Sequence, residues 1–157
     1  MTPSTSLDTS AFIKRFLTEK STADMERSAT SENHRLAISS LTVTEFRCVM
    51  KRRSRLGTVT PAFVQQATRQ LLREIAGGKL QFHAIDGATF NLAGELIDHL
   101  SSPLGALDVI HLACAKAAGS SLMVSADRQL LRAAREAGLQ TLDTSYSPRS
   151  SVTNKFF

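Results

Sequence analysis

Hydrophobic positions along this chain follow two rhythms in alternation: longer stretches with apolar residues three and four apart, and short apolar or alternating runs between them. Phe12, Ile13, Phe16 and Leu17 share one helical face, predicting a helix that Thr9 or Ser10 can cap. Pro3 to Leu7, ahead of it, reads as a strand by its position, although Ser4, Thr5 and Ser6 make it polar for a central one. Ser21 to Glu32 is polar and predicts a short surface helix, and Leu36 to Ile38 a second strand. The next helix, Ser40 to Leu56, turns Leu41, Val43 or Phe46, and Val49 or Met50 inward. Thr60 and Pro61 open another helix and Gly77 with Gly78 close it, with Phe63, Val64, Ala67, Leu71, Leu72 and Ile75 between them.

Leu80 to Ile85 alternates as a strand, and Gly87 to Ser101 forms an amphipathic helix through Phe90, Ala93, Leu96, Ile97 and Leu100. Pro103 and Gly105 break the chain before a helix from Ala106 to Ala118, whose Leu107, Ile110, Leu112, Ala113, Ala117 and Ala118 predict burial on most sides. Leu122 to Val124 reads as a buried strand, Asp127 to Gly138 as a helix, and Leu139 to Leu142 as a last strand. Strands alternating with helices imply an α/β sandwich around a mostly parallel sheet.

At 157 residues the chain suits one domain, read as residues 1–143, followed by a polar tail at 144–157 expected to be loosely held or pinned against a partner. No apolar run is long enough to span a bilayer, and MTPSTSLD lacks the basic start and apolar core of a secretory signal. The expected compartment is therefore the cytoplasm, with no membrane association. Cys48 and Cys114 lie in predicted helices without CxxC spacing, and are read as small buried packing residues.

Four acids interrupt this ordinary pattern. Asp8 follows the first strand, Glu45 lies about one turn into the helix after the second, Asp108 starts the most apolar helix, and Asp127 follows a late strand. In a right-handed βα succession all four can face one edge of the sheet, where open parallel sheets bind ligands. Converging carboxylates repel one another unless a cation sits among them, and oxygen donors without a Cys or His set suit Mg²⁺ or Mn²⁺. Taken singly, Asp108 and Asp127 also read as helix caps. The net charge is +5, and with those four acids gathered in one place the rest of the molecule carries nineteen cations against ten acids, a balance that suits a phosphate-chain partner.

The blocks LDTSAF (7–12), SSLTVTEFR (39–47), LDVIHLACA (107–115) and VSADRQL (124–130), in this order and spacing, resemble the four motif blocks of the PIN domain, in particular the VapC-type ribonuclease toxins. The resemblance runs to about Leu142. It implies a PIN-like three-layer sandwich and a metal-dependent endoribonuclease, usually dimeric, restrained by a cognate VapB-type antitoxin, with RNA such as tRNA as substrate. By motif, Asp8, Glu45 and Asp108 match the family's main acids, Asp127 the fourth, often bound to metal through water, and Ser125 the hydroxyl residue that orients ligands. The polar first strand departs from the family pattern.

His111, three residues after Asp108, is read as a hydrogen-bonded packing residue, and His34, His83 and His99 show no partners in the sequence. Lys14, Arg15, Arg128 and Arg132 stand near the expected mouth, where steering RNA and lining a solvated helix face are both open readings. The run Lys51, Arg52, Arg53 and Arg55 is sufficiently explained by a helix C-terminus, with phosphate contact as a further reading. A phosphoacceptor receiver domain would want paired acids near the first strand and a late Lys, and a haloacid-dehalogenase-like phosphatase a second Asp in its DxD. Neither set is present. The stronger rival is a catalytically inactive PIN-fold module that binds RNA or protein.

Overall fold

A computed structural model describes residues 3–17 and 34–145. Within them the elements are β1 (Ser4–Leu7), α1 (Thr9–Leu17), β2 (Arg35–Ser39), α2 (Ser40–Arg55), α3 (Pro61–Ala76), β3 (Leu80–His83), α4 (Gly87–His99), α5 (Ala106–Ala117), β4 (Ser120–Ser125), α6 (Arg128–Glu136) and β5 (Gln140–Asp143). The expected helix at 21–32 and all but the first two residues of the tail fall outside the described residues.

The five strands form one sheet in the order β3-β2-β1-β4-β5, and all four pairings are parallel. The sequence order reverses direction across the β1/β4 pair. That is the topological switch point, beyond whose carboxyl ends ligands bind in sheets of this kind. Asp8 follows β1 and Asp127 follows β4, so two of the four acids stand at the switch.

Side chains alternate across β4 and define the layers. Val124 joins Leu7, Ile38 and Leu80 in a core with Phe12 of α1, Phe46 and Met50 of α2, and Leu71 of α3. Met123 faces the opposite core, with Leu96 of α4, Val109 and Leu112 of α5, and Leu130 and Leu131 of α6. The result is the expected three-layer sandwich.

The polar first strand is fully buried at the centre of the sheet, and its hydroxyls are paired. Ser4 Oγ and Ser6 Oγ both meet Ser120 Oγ of β4, at 3.0 and 2.8 Å, and Thr5 Oγ1 lies 3.1 Å from His34 Nδ1. Buried hydroxyls with partners carry little of the penalty that unpaired ones would. This accounts for a serine-rich strand in a central position.

Several expectations change. Cys48 is exposed, whereas Cys114 is buried as expected. Cys48 sits two residues after Phe46, about 200° around the helix from that core side chain. In α4 the buried face is Thr89, Ala93 and Leu96, which leaves Phe90 57% and Ile97 61% exposed. The first turn of α5 is also open, with Leu107 51% exposed, and burial begins at Val109. His83 Nε2 meets Thr89 Oγ1 at 2.9 Å and His99 Nδ1 meets the Glu95 carbonyl at 2.7 Å, so these histidines do have partners, as His34 does.

Candidate active site

Packing between α1 and α2 brings the first acids together. Phe12, Phe16 and Phe46 form a mutually tilted cluster with ring centroids 5.0–5.7 Å apart, an arrangement that adds about 0.5–1.5 kcal/mol per pair beyond burial. With the helices locked there, Thr9 Oγ1 in the first turn of α1 donates to Glu45 Oε1 of α2 at 2.8 Å. His111 Nε2 of α5 donates to the same oxygen at 2.6 Å. A carboxylate only accepts, so Nε2 carries the proton. That hydrogen bond is the main reason the Glu45 carboxyl lies below its usual range; burial opposes it, and Thr9 and the His111 charge add to it. His111 is buried and hydrogen-bonded, as expected, and its partner is a site residue.

Asp8 is the best-anchored acid. Its Oδ1 accepts from Ser10 Oγ at 2.7 Å and from the Ala11 N–H at 2.9 Å, which makes Asp8 itself, rather than Thr9 or Ser10, the side-chain cap of α1. Its Oδ2 accepts from Ser125 Oγ at 2.6 Å, and Ser125 Oγ in turn accepts the Asp127 N–H at 2.9 Å. Ser10 Oγ also accepts the Ala126 N–H at 3.0 Å. Two serines thus tie the ends of β1 and β4 into one unit. Asp127 caps α6 through Oδ1, which accepts from the Gln129 and Leu130 N–H groups.

Asp108, half-buried in the first turn of α5, accepts no hydrogen bond among the described residues, and the helix cap there is Gly105. Burial first, and then the charge of Asp127, push its carboxyl above the usual range; Asp8 and Glu45 add to the push, with His111 opposing. All four acids therefore share one neighbourhood around Asp108. They are within electrostatic reach rather than in contact: as they lie, no three His, Cys, Asp or Glu side chains among the described residues are close enough to enclose one ion.

Each anchored acid commits part of its carboxylate to the scaffold. Asp127 Oδ2, Glu45 Oε2 and both Asp108 oxygens accept no hydrogen bond from a described residue, while Asp8 is held through both of its oxygens. The donor set is all oxygen and gathers four carboxylates, which fits a hard divalent cation.

The four acids and Ser125 singled out in the sequence lie in this neighbourhood, where Thr9 and Ser10 anchor two of the acids without having been singled out as anchors. Both follow Asp8 directly at a helix start, the one available signal. Arg15 is not at a mouth: its side chain is 5% exposed, paired with Glu74 at 3.1 Å and set over the Phe12 ring. Lys14 bonds the Thr144 carbonyl, Arg128 pairs with Asp143 at 3.4 Å, and Arg132 is exposed.

The sequence matches the PIN domain family over residues 6–136, and the chain belongs to that family. No curated protein matches the sequence. Among solved structures, VapBC2 of Rickettsia felis bound to a promoter DNA fragment superimposes with a TM-score of 0.65 at 15% identity, covering 89% of this chain and 98% of that one. VapBC-1 of nontypeable Haemophilus influenzae gives 0.63 at 18% identity, covering 91% and 99%. VapC20 of Mycobacterium tuberculosis, described as a toxin that cleaves the sarcin-ricin loop, gives 0.60 at 12% identity, covering 86% and 95%. At these identities the likeness is one of fold. No helix among the described residues is long and apolar enough to cross a membrane.

Proposed function

We propose that this PIN domain is a metal-dependent endoribonuclease acting as the toxin of a toxin-antitoxin pair. The observation that carries the reading is the Asp108 carboxyl: half-buried, without a hydrogen-bond donor among the described residues, raised first by burial and then by the charges of Asp127, Asp8 and Glu45, two of which stand at the switch point of the sheet. Asp8, Glu45 and Asp108 would hold Mg²⁺, or Mn²⁺ in its place, with Asp127 acting through water. When bound, such an ion supplies Lewis-acid polarisation of a phosphodiester and eases deprotonation of water.

The chain's own part is orientation and charge. Ser10 and Ser125 fix Asp8, and Thr9 and His111 fix Glu45, so these carboxylates lose little freedom when a ligand arrives. The same carboxylates are the available acceptors for the proton lost by the attacking water, and no nucleophilic side chain is required.

Support for RNA and for an antitoxin comes from the PIN family and from the VapBC and VapC folds. A structured RNA cut in a loop, tRNA among the candidates, suits recognition by shape and splayed bases. Exposed Phe90 and Ile97, one face of α4, and Leu107 of α5 supply apolar surface for a homodimer or an antitoxin segment. The rival reading, an inactive RNA-binding or protein-binding PIN module, draws on the spacing of the acids, which do not form a ready cage.

The test is the sequencing of RNA ends after incubation with wild type or Asp8→Asn, in Mg²⁺ and in EDTA. New ends that appear only with wild type in Mg²⁺ support the nuclease. Cleavage by Asp8→Asn at the wild-type rate, or RNA binding without cleavage by wild type, favours the rival.

A further inference from the structure

Helix α2 carries Glu45 near its start and five cations beyond it: Arg47, Lys51, Arg52, Arg53 and Arg55. Glu45 is the helix's only acid. Arg52, Arg53 and Arg55 lie in the last turn, where the helix dipole favours positive charge. That leaves Arg47 and Lys51 unexplained. Arg47, Lys51 and Arg55 follow one another at intervals of four, a spacing at which like charges destabilise a helix. All three and Arg52 are exposed, and among the described residues none of their side chains makes an ion pair or a hydrogen bond.

Their placement is directional. Thr42, Phe46 and Met50 face the core, so the opposite side of α2 is the open one. Glu45, Cys48, Arg52 and Arg55 succeed one another at intervals of three and four and form one ridge along the edge of that side. Arg52 stands about 10 Å along the helix axis from Glu45, and Arg55 about 15 Å. The ridge leads from the carboxylate cluster down the flank of the α1-α2-α3 layer, with Lys51 and Arg47 beside it.

We propose that this ridge is the track on which the phosphate chain of the substrate RNA lies as it leaves the carboxylate cluster. The proposal rests on the nuclease reading of that cluster. An acidic site repels a polyanion, so productive binding needs cations close by but outside the cluster, and the unpaired Arg52 and Arg55, about two and three turns from Glu45, meet that need. An acidic segment of a protein partner is the competing occupant. The spacing favours a chain with regularly placed charges that begins at Glu45, since the ridge is continuous with the site.

Cys48 makes the track measurable in the native protein. It is the exposed cysteine, it lies between Glu45 and Arg52, and Cys114 is buried. In EDTA, where cleavage is off, a single-stranded RNA of about a dozen nucleotides should slow alkylation of Cys48 several-fold, and polyglutamate at equal charge should not. In the same buffer, fluorescence anisotropy of that RNA gives the dependence of affinity on salt. Replacing Arg52→Glu together with Arg55→Glu should flatten the log-log salt slope by about 0.7 for each phosphate that is no longer neutralised. The charge-matched pair Lys116→Glu and Arg135→Glu, on the opposite helical layer, should change it much less.

An unchanged slope for the ridge pair, an equal loss for the control pair, or equal protection of Cys48 by polyglutamate would each overturn the track. If RNA ends still form with wild type and vanish with Asp8→Asn, the nuclease stands while the track falls. If the ridge pair flattens the slope but wild type never cleaves, the RNA surface stands and the nuclease reading falls.

Discussion

Replacing Ser125 by alanine tests whether the two strand ends at the switch point are one unit. Ser125 is fully buried, and its hydroxyl donates to Asp8 Oδ2 at 2.6 Å while accepting the Asp127 N–H at 2.9 Å. A hydrogen bond to a charged group contributes about 1.5–3 kcal/mol and a neutral one about 1 kcal/mol. Asp8 is only 6% exposed, so water has little access to the oxygen left behind. The sum, roughly 2.5–4 kcal/mol, at about 2–4 °C per kcal/mol for a chain of this size, corresponds to a fall in melting temperature on the order of 10 °C. Thermal denaturation followed by circular dichroism in EDTA measures it. Mg²⁺ should recover part of the loss, because a cation near Asp8 replaces the missing donor. A fall below about 2 °C would refute the bridge, and a large fall that Mg²⁺ leaves untouched would refute its link to the metal site.

Other outcomes follow from the same geometry. Glu136 accepts from the backbone N–H and hydroxyl of Ser101 and of Ser102, which hold its carboxyl down to about 2. A depressed carboxyl adds stability above its unfolded value and loses it as the pH falls through the folded one. Wild type should therefore melt above Glu136→Gln at neutral pH, with the gap closing between the ordinary glutamate value of 4.5 and about 2; a gap that persists at pH 2 would contradict this. Ser120→Ala removes the shared partner of Ser4 and Ser6 and should cost about 1–3 kcal/mol, well above Ser121→Ala, in urea titrations. With a thiol reagent, the native protein should show one fast-reacting cysteine and a second only on unfolding.

Much of this architecture is legible in the sequence because apolar periodicity reports which face of an element turns inward. The helices Pro61–Ala76 and Ala106–Ala117 begin where their Thr-Pro and Pro-x-Gly signals place them, and Gly78, at φ 72°, ends the first as expected. What periodicity does not carry is the identity of the neighbour. Phe90 and Ile97 fit an amphipathic helix as well as Ala93 and Leu96 do, and only the position of α5 decides which pair is covered. The serines of β1 look wrong for a central strand until Ser120 is placed beside them by the parallel register. Arg15 reads as a surface cation because its partner, Glu74, lies 59 residues away.

The four acids were visible as residues that break an apolar pattern at the starts of helices or the ends of strands. Their anchors were less so. Thr9 donates to Glu45 and Ser10 accepts the Ala126 N–H, partners whose placement depends on helix packing and strand order rather than on local sequence. His111 is three residues from Asp108, yet the acid it bonds is Glu45, across the helix interface.

Four carboxylates that repel one another around Asp108 should be relieved by a divalent ion bound among them. Titrating Mn²⁺ into wild type and Asp108→Asn, with free ion counted by electron paramagnetic resonance, measures that relief. Wild type should take up Mn²⁺ at submillimolar concentration, with RNA cleavage rising in step with occupancy, and Asp108→Asn should bind at least tenfold more weakly. Equal uptake by the two proteins, or none by either, would contradict the account.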